Sequence, residues 1–176
     1  EAKCAAAIAS RGVCHLALSG GSTPKVLFEL LAASEWAPRF DWPRIHLWFS
    51  DERDVPSDDP QSNFNSAHTT LIRKINIPPG NIHRAQTELG ATLAADGYEA
   101  DIRALLPAPF AFDVILLGMG DDGHTASWPP GDDVIDATES VALSGVYNGF
   151  VRMTLTPAVV NGARHRLVLA PGAAKA

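Results

Sequence analysis

The chain has 176 residues, 46% of them hydrophobic and 19% charged, and 14 Lys+Arg against 20 Asp+Glu leave a net charge of −6 at pH 7. A domain of this length buries roughly 70% of the surface its unfolded chain exposes, so one domain spanning 1–176 can hold its core without a disulfide or a metal. The longest apolar runs, at 5–9 and 114–117, fall far short of the ~20 residues of a membrane span. Scattered Lys and Arg on an acidic chain offer no basic face for nucleic acid. Two cysteines, Cys4 and Cys14, without C-x-x-C spacing indicate neither a disulfide framework nor a zinc cage, and a reducing, cytoplasmic setting is expected. Any anionic ligand then needs a local positive site.

Glu1 leads straight into an alanine-rich helical pattern, without the basic n-region and long apolar h-region of a signal peptide. A strand at 13–18 follows, then Thr23 as N-cap and Pro24 at the first helical position open a helix over 24–33. A strand at 45–50 precedes a helix over 63–74 that Ser62 caps, and Pro78-Pro79-Gly80 reads as a turn. A third helix over 92–106 carries an unfavourable Gly97. Further strands fall at 113–117, 139–143, 150–156 and 166–170, and 172–176 reads as the first turn of a helix that then stops. Both ends therefore look cut, and the chain reads as an internal fragment. Strand, Gly/Ser/Asp-rich loop and helix recur in that order, which predicts βα units, an α/β fold and a mostly parallel sheet.

In such sheets ligands bind outside the carboxyl ends of the strands. Three loops there hold the unusual polar residues. In Ser19-Gly20-Gly21-Ser22-Thr23-Pro24, glycines and the free N–H groups of a helix start suit a phosphate or polyol, although the same residues also make a well-capped tight turn. The Walker A spacing is missing. In Phe49-Ser50-Asp51-Glu52-Arg53, consecutive charges suit a cleft rim where Arg53 could contact an anion, or a solvated loop whose charges pair with each other. In the third loop, Gly118, Gly120 and Gly123 spell G-x-G-x-x-G, but Asp121-Asp122 would repel a pyrophosphate and Pro129-Pro130 block the helix that a dinucleotide site needs.

His124, two residues from Asp122, is the stronger signal of that loop. A carboxylate so placed can fix a histidine's tautomer and prepare it as a general base; the alternative is a structural histidine. His15, His46, His68, His83 and His165 are dispersed, and no metal-ligand set can be assembled from them. No G-x-S-x-G elbow is present. Arg152 inside an apolar strand and Lys175 at a helix start are locally unfavourable positions for a cation, which a bound phosphate would relieve and simple exposure would also explain.

Taken in order, S-G-G-S-T-P-K, S-D-E-R-D-V-P with D-P-Q-S-N, G-M-G-D-D-G-H-T-A-S, R-M-T-L-T and G-A-A-K-A closely resemble the glucosamine-6-phosphate isomerase/6-phosphogluconolactonase family, over essentially the whole chain from Val13 onward. The resemblance implies a three-layer, modified Rossmann-like fold with helices on both faces of the central sheet. It also implies hydrolysis of 6-phospho-D-glucono-1,5-lactone to 6-phospho-D-gluconate in the oxidative pentose phosphate pathway, with no metal or organic cofactor. In that reading His124 is the base, Asp122 or Asp51 tunes it, and Gly20, Gly21, Ser22, Thr23, Arg53, Arg152 and Lys175 hold the phosphate and sugar hydroxyls. The expected partner is a small phosphosugar lactone, with no nucleic acid, no membrane and a monomer favoured. The alternatives are glucosamine-6-phosphate isomerisation and deamination, or a non-catalytic phosphosugar-binding domain. The deaminase branch carries a histidine-partnering glutamate where this chain has Pro129, and Trp128-Pro129-Pro130-Gly131 stands where the lactonase branch usually has L-F-P-G.

Overall fold

In the computed structural model, which describes residues 1–106 and 108–170, the elements run α1 (Ala2–Arg11), β1 (Cys14–Leu18), α2 (Ser22–Leu31), β2 (Ile45–Phe49), β3 (Asp51–Arg53), α3 (Asn63–Thr70), α4 (Ala91–Leu105), β4 (Val114–Gly118), β5 (Val141–Tyr147), β6 (Phe150–Leu155), α5 (Pro157–Gly162) and β7 (His165–Leu169). Four strands form a parallel sheet in the order β2-β1-β4-β7. From β1 the chain steps to β2 on one side and later to β4 on the other. The strand order therefore reverses between β1 and β4, and such a reversal opens a crevice at the carboxyl ends of the strands.

Side chains on these strands alternate between two cores, as the two-residue period of a strand requires. Leu16, Leu18, Leu47, Phe49, Val114 and Leu116 meet Cys4 and Ala7 of α1, Phe28 of α2 and Ala67 of α3. Ala17, Trp48, Ile115 and Leu117 face the other way, onto Ala94, Ala95, Tyr98 and Ile102 of α4 and onto Met153 and Leu155 of β6. The chain is thus an α/β domain with a mostly parallel central sheet and helices on both faces.

A second, antiparallel sheet, β3-β6-β5, lies on the α4 side and has no counterpart in the parallel pattern expected from the sequence. Ser50 joins the two sheets: its N–H donates to the Leu18 carbonyl at 2.7 Å while its own carbonyl accepts from Leu155 N at 2.8 Å. Both backbone groups of one residue are spent in different sheets, so β2 and β3 are separate strands although only Ser50 divides them. Tyr98 pins the same corner, its buried hydroxyl accepting from Phe49 N at 2.7 Å and donating to Phe49 O at 2.9 Å.

Several boundaries differ from the sequence expectation, and the strand expected at 139–143 runs instead over Val141–Tyr147. Gly21, not Thr23, is the N-cap of α2; its φ of 101° favours glycine, and Thr23 and Pro24 fall within the first turn. The helix expected over 63–74 stops at Thr70 and continues as a separate 3-10 turn, Ile72–Lys74. Thr69 and Thr70 bond back to the carbonyls of Asn65 and Ser66, a competition that loosens a helix end. Ser62 does cap α3, accepting from Asn65 N at 3.1 Å. The helix turn expected at 172–176, with Lys175, lies outside the described residues.

Far from the crevice, Asp113 at the foot of β4 is buried and ties three elements together. It accepts from Arg11 of α1, from His15 N at 2.9 Å and, more distantly, faces Arg164 Nε at 3.4 Å. Three histidines that look dispersed in sequence also meet at this end of the sheet. His46 Nδ1 and His83 Nε2 are 2.9 Å apart, His15 Nδ1 accepts from Trp48 Nε1 at 3.1 Å, and the His83 ring stacks on Trp48 at 4.0 Å. Burial holds His15 and His83 down at about 4, and lowers His46 as well.

Candidate active site

The crevice at the β1/β4 switch point is a cleft of about 180 Å³ walled by residues that follow β1, β2 and β4. Two glycines make its walls possible. A Cβ on Gly20 would lie 1.9 Å from Asn63 Oδ1, and one on Gly120 would lie 2.1 Å from His124 Nδ1. Ser19 Oγ accepts from Gly118 N at 3.3 Å, and Thr125 Oγ1 donates to Gly118 O at 2.8 Å, so the first and third loops are laced together across the mouth of the sheet.

His124 lines this cleft. Its loop is a tight fold in which Gly120 N donates to His124 O at 2.8 Å, and both Gly123 and Ala126 have positive φ, of 86° and 47°. A positive φ at an alanine is uncommon and is held here by its surroundings. Ser127 is fully buried and donates to Asp51 Oδ2 at 2.7 Å, and Trp128 Nε1 donates to Leu155 O at 2.9 Å. Trp128 thereby anchors the histidine loop to β6.

Asp122 Oδ1 lies 2.5 Å from His124 Nδ1, and Asp122 Oδ2 accepts from the Tyr147 hydroxyl at 2.6 Å. Those hydrogen bonds, from Tyr147 first and then His124, hold the Asp122 carboxyl well below the usual carboxylate range. An ionised carboxylate only accepts, so the neutral imidazole carries its proton on Nδ1 and keeps a lone pair on Nε2. A histidine in that tautomer can take a proton from water.

On the opposite wall stand two arginines. Arg53 of β3 and Arg152 of β6 are direct partners in the antiparallel register, and both line the cleft. Like charges placed opposite each other are unfavourable unless an anion lies between them. Each Nε is buried and unpartnered among the described residues. Arg53 Nη1 bonds Gln61 O at 2.5 Å and Asn63 Oδ1 at 3.2 Å, which fixes the guanidinium in place. Arg152 is itself buried, and that burial, with the neighbouring Arg53 charge, lowers its affinity for its proton. Unspent donors on fixed guanidinium groups are what an oxyanion seeks.

The acidic residues beside Arg53 divide in role. Glu52 is buried and accepts from Arg53 N, Asn63 N, Phe64 N and Ser62 Oγ at 2.7 to 2.9 Å, so it closes the N-terminus of α3 and does not line the cleft. Asp51 does line it, but its oxygens are taken by Ser50 and Ser127. Of the two carboxylates weighed for His124, Asp122 is the one in contact; Asp51 reaches the histidine loop through Ser127. Gly20, Gly21, Ser22 and Thr23 line the cleft, and Lys175 lies outside the described residues. Tyr147 was not among the residues singled out from sequence. Its signal was Asn148-Gly149, a pair that favours a tight hairpin turn and here has φ of 50° and 83°.

Fold and site together define an α/β domain that places a carboxylate-held histidine and two paired arginines with unspent Nε groups in one cleft at a topological switch point. Residues 1–176 match the family model described as glucosamine-6-phosphate isomerases/6-phosphogluconolactonase. The 6-phosphogluconolactonase of Haemophilus influenzae is 38% identical over 163 residues, covering 92% of this chain and 70% of the relative. The GDH/6PGL endoplasmic bifunctional protein of Oryctolagus cuniculus is also 38% identical, over 99% of this chain but only 23% of its own length. Among solved structures, the 6-phosphogluconolactonase of Thermotoga maritima superposes with a TM-score of 0.84 at 34% identity, covering 95% of this chain and 74% of that one. The chain belongs to the glucosamine-6-phosphate isomerase/6-phosphogluconolactonase family.

Proposed function

We propose that this chain is a lactone hydrolase that converts 6-phospho-D-glucono-1,5-lactone to 6-phospho-D-gluconate in the pentose phosphate pathway. The observation that carries this reading is the meeting, in one cleft, of the Asp122-held His124 with the unspent Nε groups of Arg53 and Arg152. His124 Nε2 takes a proton from the water that attacks the C1 carbonyl, and the resulting imidazolium returns it to the ring oxygen as the C1–O bond breaks. Water and lactone alone balance the reaction. Asp122 stabilises the imidazolium while its charge lasts. The two arginines and the Gly20–Thr23 backbone and hydroxyls hold the phosphate and polyol, with Lys175 as a further phosphate ligand. A lactone is already activated, so positioning and one acid–base group suffice.

The test is lactone consumption on freshly generated substrate, corrected for spontaneous hydrolysis, with the parent and His124→Ala measured side by side. Turnover should fall by about 100-fold in the variant. Equal rates would remove His124 from the reaction, and ammonia release from glucosamine 6-phosphate by the parent would move the chain to the sister activity.

A further inference from the structure

Beyond the residues assigned so far, the hairpin joining β5 and β6 brings a half-buried tyrosine onto the histidine loop. We propose that Tyr147 is the positioning residue of the site: it clamps the Asp122 carboxylate in the orientation that keeps His124 as the Nδ1–H tautomer, and steadies Arg152 on its ring. This rests on the hydrolase reading above.

Each contact is separate. The hydroxyl donates to Asp122 Oδ2, leaving Oδ1 for His124, so the carboxylate has a different partner on each oxygen. The phenol ring meets the imidazole edge-on, with centroids 5.2 Å apart and planes at 68°. The Arg152 guanidinium lies over the same ring, 5.1 Å from its centroid, and Arg152 Nη2 reaches the Tyr147 carbonyl at 3.4 Å. Asp122 is exposed, and three hydrogen bonds set which way it faces: Oδ1 accepts from His124 N at 3.2 Å and meets His124 Nδ1, while Oδ2 has the Tyr147 hydroxyl. Without the hydroxyl, Oδ2 turns to water and Asp122 loses its bond to the β5–β6 hairpin, while Trp128 still holds the far end of the loop on β6. Tyr147 does not itself line the cleft, which is why its role is to position and not to react. The charged and titratable groups around the pair are Arg152 and Tyr147 from the hairpin, Asp51 and Arg53 from β3, and Asp121 of the same loop.

Tyr147→Phe separates the hydroxyl from the ring. In the variant Asp122 spends part of its time turned from the ring and holds the imidazolium less well. The acid limb of the kcat/KM profile should therefore move to lower pH, with kcat at the plateau falling about tenfold for a hydrogen bond to a charged group. KM should change little in Tyr147→Phe and rise in Tyr147→Leu, which also removes the face under Arg152. Nitrogen-15 NMR of the His124 ring gives a readout independent of turnover, and should pass from Nδ1–H in the parent to a mixture of tautomers in Tyr147→Phe. An unchanged pH limb and an unchanged ring spectrum in a folded Tyr147→Phe would overturn the proposal. A parent that fails to hydrolyse the lactone, with the ring spectrum still moving, would instead overturn the hydrolase reading and leave the positioning role standing.

Discussion

At the scale of single residues the cleft is made by atoms that are missing as much as by those present. Gly120 has no side chain because the His124 ring and the Asp122 carboxylate occupy the space, at 2.1 and 2.8 Å from where a Cβ would be. Gly120→Ala should therefore push the imidazole off its carboxylate and cost about 100-fold in turnover, the scale of an ångström's misplacement. The loop is exposed around Asp121 to Gly123, so the melting temperature should hardly move. A loss of stability as large as the loss of rate would mean that the loop carries the fold and not only the site. The same logic explains Gly20 against Asn63, a close approach that brings the β1 loop onto the start of α3.

At the scale of elements, α4 shows propensity yielding to packing. Gly97 argues against a helix there, yet Ala91–Leu105 is continuous because Ala94, Ala95, Tyr98 and Ile102 bury one face in the core beneath both sheets. A Cβ on Gly97 would meet nothing within 4 Å. Gly97→Ala should accordingly stabilise the domain by roughly 0.5–1 kcal/mol, read as a higher denaturation midpoint at unchanged m-value. A decrease would show that the glycine serves a purpose beyond the helix. The short strand β3 is the opposite case. Asp51-Glu52-Arg53 has no strand pattern of its own and is extended because β6 pairs with it and Glu52 is consumed at the start of α3.

At the scale of the whole molecule, the foot of the sheet couples folding to pH. His15 and His83, ordinarily near 6.5, are held at about 4 by burial and by their neighbours His46 and His15, with Asp113 pulling His15 up and Arg11 pushing it down. Between those values the unfolded chain binds protons that the folded chain refuses, so stability rises with pH. It should be level above about pH 7 and fall as pH drops from about 6.5 toward 4, each histidine adding up to about 1.4 kcal/mol per pH unit. Urea midpoints at pH 7.5, 6 and 5 check this, and His83→Gln should flatten the decline. An equally steep decline in that variant would place the sensitivity elsewhere.

Periodicity and loop chemistry, both local properties, are legible in the sequence alone. They located the four parallel strands, α2, α4 and the start of α3. They also marked the loops that carry Gly20, Arg53 and His124, because short polar loops at strand ends have few other reasons to hold glycines, acids and a histidine together. What only the tertiary structure decided depends on residues far apart in the chain. The antiparallel sheet β3-β6-β5 exists because Ser50 divides its backbone bonds between two sheets, and Arg53 faces Arg152 only through that pairing. The same holds for the choice of Asp122 over Asp51 beside His124, for Tyr147 on Asp122, and for the gathering of His15, His46 and His83. Asp122 is only two residues from His124, but the other contacts, including the Ser127 bond that takes Asp51 out of contention, span separations set by sheet order and register, and neither can be read from the spacing of residues along the chain.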